Sequence, residues 1–259
     1  MLITGGSGYL GAELLRQADG AVGTYLSAPF EGGVELDIRD ADAVARVVDG
    51  HDAVVHTAYV QGDRSVTAQG TVAVAAACAA AGARLVHVST DVVFDGRLGR
   101  PYREHDRPSP ITDYGCHKLV AERAVAERCP GAAVVRTSLI YGGPDQEPSS
   151  QERQPLDASM KFFTDELRSP VQVGDLASAL LEVAASEVSG PLHVAGADGV
   201  SRYEFARLVV ASRGRDPDLP ESASFRDLGL DRPADCRLDC TRAASLLKTR
   251  LRGVNEVLG

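Results

Sequence analysis

The fold is decided by the stretch TGGSGYLG at residues 4–11, which follows a short apolar run at the start of the chain. Gly5, Gly8 and Gly11 have the spacing G-x-x-G-x-x-G between a predicted strand and a predicted helix. In that context the first glycines allow a tight turn and a close approach to a pyrophosphate, and the last allows close helix–strand packing. Amides at a helix N-terminus also favour phosphate. The stretch predicts a dinucleotide-binding turn made of Gly5, Ser7, Gly8, Tyr9, Leu10 and Gly11.

The first half of the chain alternates short apolar strands with alanine-rich helices, which is typical of a parallel sheet with crossover helices. Strands are predicted at residues 2–4, 21–25, 34–36, 53–57, 85–89 and 134–137, and helices at 9–18, 40–48, 67–81 and 112–127. We predict an α/β fold: a Rossmann-type doubly wound parallel sheet with a small, mostly C-terminal substrate lobe. The Rossmann domain is expected to comprise residues 1–141 with a return at 171–195, and the lobe residues 142–170 and 196–259.

Beyond residue 141 the pattern becomes irregular. Residues 142–160 are polar and rich in Pro, Ser, Gln and Glu, which predicts a long loop or a mobile flap. A helix is expected over residues 175–185 with Asp175 as its cap. Another is expected over residues 201–212, where Ser201 and Glu204 have the spacing of a capping box.

Composition restricts the class of partner. The formal net charge of −9 argues against binding to nucleic acid or to an anionic membrane surface. No apolar run approaches the roughly 20 residues that cross a bilayer, and the chain enters a strand at once, so we expect a cytoplasmic protein. The five cysteines are odd in number and include no Cys-x-x-Cys pair, so reduced thiols and no metal site are expected. A homodimer is a candidate assembly.

Tyr114 and Lys118 are the strongest catalytic candidates. They are four residues apart in a predicted helix, so both side chains lie on one helix face. A nearby cation favours the phenolate and lowers the pKa of a phenol from its usual value of about 10. A tyrosine of this kind can exchange a proton with a carbonyl oxygen near neutral pH.

The identity of the dinucleotide depends on the end of the second strand. A carboxylate there would bind an adenosine ribose and repel a 2′-phosphate. The stretch GTYLS at residues 23–27 contains none. Hydroxyl groups of Thr24, Tyr25 and Ser27 can accept a phosphate, with Arg16 or Arg39 as added charge. NADP(H) is therefore favoured, and NAD(H) stays open.

Several motifs together resemble the extended short-chain dehydrogenase/reductase superfamily, and within it the dTDP-4-dehydrorhamnose reductase family. The family segment STDYVFDG is present at residues 89–96 as STDVVFDG, which departs at Val92. The family helix Y-G-x-x-K-x-x-x-E is present from Tyr114 to Glu122. Further similar stretches are RTSLIYG at 136–142, DELRSP at 165–170 with DLA at 175–177, and RP at 232–233 with LD at 238–239. An asparagine usual in the third helix is replaced near Thr67.

This resemblance implies reduction of the ketone of a nucleotide-linked 4-keto-6-deoxysugar by NAD(P)H. Tyr114 would supply the proton, Lys118 would hold the nicotinamide ribose, and Thr90 would hydrogen-bond the carbonyl oxygen. Asp37 and Ile38 would flank the adenine, and the ribose and pyrophosphate would contact Thr57, Ala58 and Tyr59. The substrate would contact Thr90, Asp91, Val93, Phe94, Arg168 and Arg232, the two arginines being candidates for its phosphates.

The residues also bear on three other functions. A dehydratase needs an acid pair after Thr90, and Val92 occupies the second acidic position. An NAD-dependent sugar-nucleotide epimerase favours a carboxylate at the end of the second strand, where Thr24 and Tyr25 stand. A non-catalytic NAD(P)-binding regulatory subunit remains an alternative, although Tyr114 and Lys118 are both retained.

Overall fold

The computed structural model of the chain describes residues 1–156 and 160–259. Within them the strands are β1 Leu2–Thr4, β2 Val22–Tyr25, β3 Val34–Glu35, β4 Ala53–His56, β5 Arg84–Thr90, β6 Ala133–Thr137, β7 Ile140–Tyr141, β8 Lys161–Phe163, β9 Leu167–Arg168, β10 Val171–Gln172, β11 Gly190–His193, β12 Val200–Ser201 and β13 Glu221–Ala223. The helices are α1 Tyr9–Gln17, α2 Ala41–Val48, α3 Thr71–Ala81, α4 Asp113–Arg128, α5 Ser150–Arg153, α6 Val173–Ala184, α7 Arg202–Ser212, α8 Thr241–Leu246 and α9 Val254–Leu258.

The chain divides into two compact units. The first comprises Met1–Thr90, Asp113–Arg136 and Ala177–Leu192, and the second comprises Asp91–Thr112, Thr137–Leu176 and His193–Gly259. This division differs from the predicted domain boundaries: Asp91–Thr112, residues 137–141, 171–176 and 193–195 were expected in the Rossmann domain and belong to the second unit. Within Asp91–Thr112, Tyr102 forms a parallel bridge with Leu238 of that unit.

The predicted Rossmann-type fold is confirmed. Within the described residues, seven strands form one sheet in the order β11-β6-β5-β4-β1-β2-β3, and the pairings of β1 with β2 and β4, of β2 with β3 and of β4 with β5 are parallel. The strand order reverses between β1 and β4. In such sheets, ligands bind at the carboxyl ends of the strands beside this reversal. The glycine turn directly follows β1, and Thr57 directly follows β4.

The helices of the first unit begin and end where the local sequence indicates. The Asp40 side chain accepts hydrogen bonds from the Asp42 and Ala43 amides and so caps α2. α3 ends at Gly82, which has a positive φ of 66°. A π-helical turn, Ser65–Gly70, leads into α3. Apolar faces of α2 and α3 pack on the sheet with residues such as Val44, Val54, Val74 and Leu85. No helix in the described part of the chain is both long and apolar enough to span a bilayer.

The second unit confirms one predicted cap and corrects another. Ser201 and Glu204 form the predicted capping box at the start of α7. The prediction that Asp175 caps α6 is wrong, because this helix already begins at Val173. Asp175 instead forms an ion pair with Arg252, Oδ1 to Nη2, at 2.8 Å. A buried apolar cluster holds α7 and α9 together through Tyr141, Phe205, Val209, Val254 and Leu258, with Val200 beside them.

The loop predicted at 142–160 is present over residues 142–149, whereas residues 150–156 form regular structure; residues 157–159 lie outside the described residues. Ser149 and Glu152 form a capping box on α5, and a 3₁₀ turn at Gln154–Leu156 follows. Arg213, the residue that follows α7, donates hydrogen bonds to the carbonyl oxygens of Gly143, Pro144 and Gln146. The backbone of the loop is therefore bound by a side chain from a distant part of the chain, and the mobile flap stays a prediction.

Candidate active site

The glycine turn lies against the chain that follows β4. Gly5 has a φ of 76°, and a Cβ at this position would lie 2.9 Å from the backbone of Ala58. A Cβ at Gly11 would lie 2.1 Å from the carbonyl oxygen of Gly5. Both positions therefore require glycine. Ser7 and Gly8 are exposed immediately before α1, so the end of this helix is accessible to a phosphate, and the turn fits a dinucleotide.

Tyr9 and Leu10 form the first turn of α1 behind these glycines. The side chain of Tyr9 is half-buried, and that of Leu10 is buried. Their predicted contribution to a bound coenzyme is therefore through backbone amides at the helix end.

Thr24 and Tyr25 were predicted to receive a 2′-phosphate, and the structure separates them. Thr24 is 1% exposed, and its hydroxyl accepts a hydrogen bond from the Gly5 amide at 3.3 Å. This hydrogen bond supports the glycine turn. The Thr24 hydroxyl is not accessible to a phosphate, so its predicted contact with a 2′-phosphate is not available. Tyr25 is half-buried, with its ring edge-on to Phe30 at 6.0 Å. Its predicted role stays a prediction.

The residues predicted to meet the adenosine already have protein contacts. The carboxylate of Asp37 pairs with Arg39, Oδ2 to Nη2, at 2.6 Å, and this hydrogen bond holds the pKa of Asp37 below its usual value. The Ile38 side chain is buried in the core, so its backbone is what it can present to an adenine. Thr57 donates its hydroxyl to the Thr4 carbonyl at 2.7 Å, tying β4 to β1 at the strand reversal.

Tyr114 and Lys118 lie in the first two turns of α4, as predicted. Tyr114 is half-buried, whereas Lys118 is only 3% exposed. Nζ of Lys118 donates a hydrogen bond to the Val88 carbonyl oxygen at 2.9 Å. Burial lowers the pKa of Lys118 to about 8, and the charge of Glu122 opposes this shift in part. The ammonium is thus held at one point beside β5.

A buried ion pair anchors α4 to the sheet one turn beyond Lys118. Glu122 accepts a hydrogen bond from the hydroxyl of Ser89 at 2.6 Å and pairs with Arg136, Oε2 to Nη2, at 2.8 Å. These contacts join β5, α4 and β6. Because Lys118 and Glu122 are four residues apart on one helix face, the ion pair of Glu122 with Arg136 also fixes where the Lys118 ammonium lies along the sheet.

The residues predicted to contact the substrate after β5 have mostly buried side chains. Thr90 is the last residue of that strand. Val93 and Phe94 are fully buried, and Phe94 stacks on Tyr102 with ring centroids 4.1 Å apart. Both belong to the core of the second unit, so they are not accessible to a substrate. Asp91 is also buried and accepts a hydrogen bond from the hydroxyl of Ser138 at 2.6 Å, which makes it a structural anchor.

Arg168 and Arg232 both bind Glu166, a residue that the sequence did not single out. Nη2 of Arg168 lies 3.0 Å from one carboxylate oxygen of Glu166, and Nε of Arg232 lies 2.6 Å from the other. Burial alone would raise the pKa of Glu166, but the two guanidinium groups hold it below its usual value. Arg168 is buried, so its predicted contact with a substrate phosphate is not available. Arg232 is half-exposed and keeps this prediction.

Arg202 is a further polar residue of the second unit that sequence reasoning missed. Its guanidinium donates to the side-chain oxygens of Gln151 and Gln154, at 2.8 and 3.1 Å. The local signal was weak, because an arginine directly after a helix cap is normally solvated. Its partners come from a segment that appeared to be an unstructured loop.

A cavity of about 750 Å³ lies within the second unit, with Arg100, Arg103, Lys248 and Arg250 in its lining. Its lining includes none of the predicted site residues, so the cavity does not locate the active site. In the described part of the chain, no group of three or more His, Cys, Asp or Glu side chains is placed to hold a metal ion.

Comparison with known proteins gives matches over nearly the whole chain. The family described as RmlD substrate binding domain matches residues 1–258. The dTDP-4-dehydrorhamnose reductase of Mycolicibacterium smegmatis is 35% identical over 276 residues, which cover 100% of this chain and 83% of that protein. The enzyme of the same name from Mycobacterium tuberculosis (strain CDC 1551 / Oshkosh) is 38% identical over 235 residues, covering 84% and 76%.

A solved structure shows the same architecture. The dTDP-4-dehydrorhamnose reductase of Bacillus anthracis str. Ames, in complex with NADP, superposes with a TM-score of 0.84 at 25% identity. The superposition covers 99% of this chain and 96% of that one. The resemblance inferred from the motifs is therefore confirmed by sequence and by structure.

Proposed function

We propose that this chain, which belongs to the RmlD substrate binding domain family, is an NAD(P)H-dependent reductase of the dTDP-4-dehydrorhamnose reductase type. Its substrate is the ketone of a nucleotide-linked 4-keto-6-deoxysugar. The observation that carries the proposal is the pair Tyr114 and Lys118 on α4, in the same unit as a turn that requires glycine at Gly5 and Gly11. That combination supports a coenzyme with a proton donor beside it.

The coenzyme, when bound, supplies the hydride. The protein must then hold the carbonyl and deliver a proton to its oxygen. Tyr114 donates that proton, and Thr90 at the end of β5 hydrogen-bonds the same oxygen. Lys118 favours the deprotonated phenol through its charge and so makes Tyr114 a better acid. Glu122 and Arg136 keep the helix that carries both residues in register with β5.

NADP(H) is proposed as the preferred coenzyme. The support is the end of the second strand at residues 23–27, which contains no carboxylate that would repel a 2′-phosphate. The side chain of Arg39 is half-exposed, so it can shift from Asp37 to a phosphate. Fluorescence titration with NADPH and NADH tests this preference directly, and equal affinities would contradict it.

For the nucleotide end of the substrate, Arg232 is the proposed phosphate partner. Its guanidinium is half-exposed and lies 5.1 Å from the ring centroid of Phe163, so its orientation is set by the protein. Glu166 accepts the hydrogen bond from Nε of Arg232, so the two terminal nitrogens of the guanidinium are the atoms proposed to bind the phosphate. Removal of this arginine should raise KM for the sugar nucleotide more than it lowers kcat.

A cytoplasmic location and a homodimer are further proposals. All five cysteines are free thiols, which supports a reducing compartment. The homodimer is tested by light scattering of the purified protein.

The test of the reductase function is Tyr114→Phe. Loss of the proton donor should lower kcat by roughly 10²–10⁴-fold, with NADPH affinity retained, in an assay of NADPH oxidation against nucleotide-linked 4-keto-6-deoxysugars. Tyr203→Phe in α7 is the matched control and should keep wild-type turnover. Near-normal kcat of Tyr114→Phe would defeat the assignment. Tight coenzyme binding without turnover of any such ketone by the wild type would favour the regulatory subunit.

A further inference from the structure

Tyr59 lies beside both members of the proposed catalytic pair. Nζ of Lys118 is 5.0 Å from the centroid of the Tyr59 ring. The same ring lies 5.7 Å from the ring of Tyr114, at an interplanar angle of 44°. Tyr59 is itself 50% exposed, although aromatic side chains of this size are normally more buried. An ammonium near the face of an aromatic ring is attracted by the negative potential of that face.

The backbone that carries Tyr59 is held by a buried hydroxyl. Thr67, in the π-helical turn Ser65–Gly70, donates its Oγ1 to the Val60 carbonyl at 2.9 Å. The same oxygen accepts the Val60 amide at 3.3 Å. Both backbone groups of the residue after Tyr59 are thus bound by one side chain. The backbone next to Tyr59 is therefore held by a side chain of the π-helical turn.

The contact continues to the strand that leads into the glycine turn. Thr71 donates its hydroxyl to the Thr67 carbonyl at 2.8 Å. The same oxygen lies 3.0 Å from Nε2 of His56, and Nδ1 of His56 lies 2.6 Å from Oγ1 of Thr4. Because the Thr71 proton is used on Thr67, His56 must carry its proton on Nε2 and accept from Thr4. A directed hydrogen-bond chain thus links β1 to the Tyr59 loop.

We propose that Tyr59 is a positioning residue, whose ring face stabilises the ammonium of Lys118 while the same ring packs, tilted, against the ring of Tyr114. This proposal rests on the roles of Lys118 and Tyr114 in the proposed reduction. It assigns to Tyr59 a different task from the coenzyme contact expected from the sequence. The directed chain through Thr67, Thr71 and His56 holds the ring where it serves both residues.

The charges around Lys118 allow the effect to be isolated. The titratable groups that face it are Glu122 on its own helix, His56 of β4, His87 of β5 and the phenols of Tyr59 and Tyr114. Burial lowers the pKa of His56 to about 3, and that of His87 falls well below its usual value. Both histidines are therefore neutral throughout the neutral and alkaline range. Tyr59→Leu and Tyr59→Phe both lack the Tyr59 phenol and both keep Tyr114, so a difference in the Lys118 titration between these two variants reports on the ring face.

Tyr59→Leu and Tyr59→Phe separate the ring face from simple bulk. Leucine keeps the apolar cover but removes the π face, so it should lower the pKa of Lys118 by about one unit. Phenylalanine keeps the face and should leave this pKa close to the wild-type value. The readout is the lysine ¹³Cε chemical shift in coenzyme-free protein. The chain has only three lysines, Lys118, Lys161 and Lys248, and Lys118→Met assigns the signal.

An unchanged Lys118 titration in Tyr59→Leu, or equal shifts in the Leu and Phe variants, would overturn the proposal. Should the Leu variant not fold, Tyr59→Met provides a second apolar replacement with the same expected shift. The measurement requires no turnover. If the Leu and Phe variants show the expected difference in the Lys118 pKa but the wild type is inactive, the proposed reaction is rejected and the contact is kept. If the wild type is active but the two variants do not differ in this pKa, only the contact is rejected.

Discussion

Glu122 and Glu152 are two buried carboxylates with different partners: side chains bind the first, and mainly backbone amides bind the second. Glu122, 6% exposed, is bound by the side chains of Ser89 and Arg136 and so joins regular elements of the first unit. The strands and the helix that it joins each have their own backbone hydrogen bonds and do not need Glu122 to form. What the carboxylate adds is the register of α4 on the sheet, and with it the placement of Tyr114 and Lys118, the proposed catalytic pair.

Glu152, 1% exposed, is bound mainly by backbone amides of the second unit. It accepts from Gly142 at 2.8 Å, Gly143 at 3.2 Å and Ser149 at 2.9 Å, and Arg213 lies at 3.4 Å. Here the carboxylate replaces hydrogen bonds that a strand or helix would otherwise supply. The comparison teaches that a buried charge can fix the register of existing elements or substitute for missing ones.

The largest effect is expected for Glu122→Gln. This change leaves the buried Arg136 without its counter-charge, which should lower the free energy of unfolding by about 3–5 kcal/mol. Urea unfolding followed by circular dichroism measures this loss. Turnover should also fall, because α4 carries Tyr114 and Lys118. Glu127→Gln on the exposed side of the same helix is the control. If both variants unfold at the same urea concentration, the pair does not anchor the helix.

A smaller effect is expected for Glu152→Gln. One carboxylate oxygen becomes an NH₂ group facing amide donors, so the loss should be about 1–3 kcal/mol. The change should be local: hydrogen exchange at the Gly142 and Gly143 amides should accelerate, while coenzyme affinity stays the same. Asp145→Asn, an exposed carboxylate of the same segment, should leave exchange unchanged. Unaltered exchange in Glu152→Gln would contradict the anchoring role.

The smallest effect concerns Lys118, a buried charge that donates to the Val88 carbonyl. Below its folded pKa of about 8 the lysine is charged in both states, so the native state bears the cost of burial. Lys118→Met should remove about 3 kcal/mol of that cost and lose about 2 kcal/mol with the hydrogen bond. The net gain is about 1 kcal/mol at pH 7.

This gain should depend on pH with a definite sign. As pH rises from 8 towards the unfolded value of 10.5, the folded lysine becomes neutral before the unfolded one, so the wild type gains stability. The advantage of Lys118→Met should therefore shrink and then reverse. Urea midpoints for both proteins at neutral and alkaline pH provide the measurement. A difference that does not vary with pH would show that Lys118 is not a buried charge.

Local signals predicted much of the fold and part of the site. The glycine spacing, the cap at Asp40, the capping box at Ser201 and the helix of Tyr114 all depend on neighbours within a few residues. The errors involve distant partners. Val93 and Phe94 follow a strand end, where ligand contacts are common, but they are buried in the second unit.

The regular structure and the buried carboxylate of the 142–156 segment were not predicted for the same reason. Its composition is that of a solvated loop, and nothing in it indicates that Glu152 becomes buried. The partner Arg213 is about sixty residues later in the chain, so the link is visible only in three dimensions. Arg168 is predicted to bind a phosphate; one of its counter-ions, Glu166, is two residues away in the sequence, but the other, Asp91, lies in a distant segment.

The amino-acid sequence alone determined the glycine turn, the strand–helix alternation and the shared helix face of Tyr114 and Lys118, because each depends on short-range geometry. The tertiary structure decided which charged side chains are buried and which residue lies against the ammonium of Lys118. Burial and counter-ion pairing depend on residues far apart in the chain, so the helix alone did not indicate that burial lowers the pKa of Lys118.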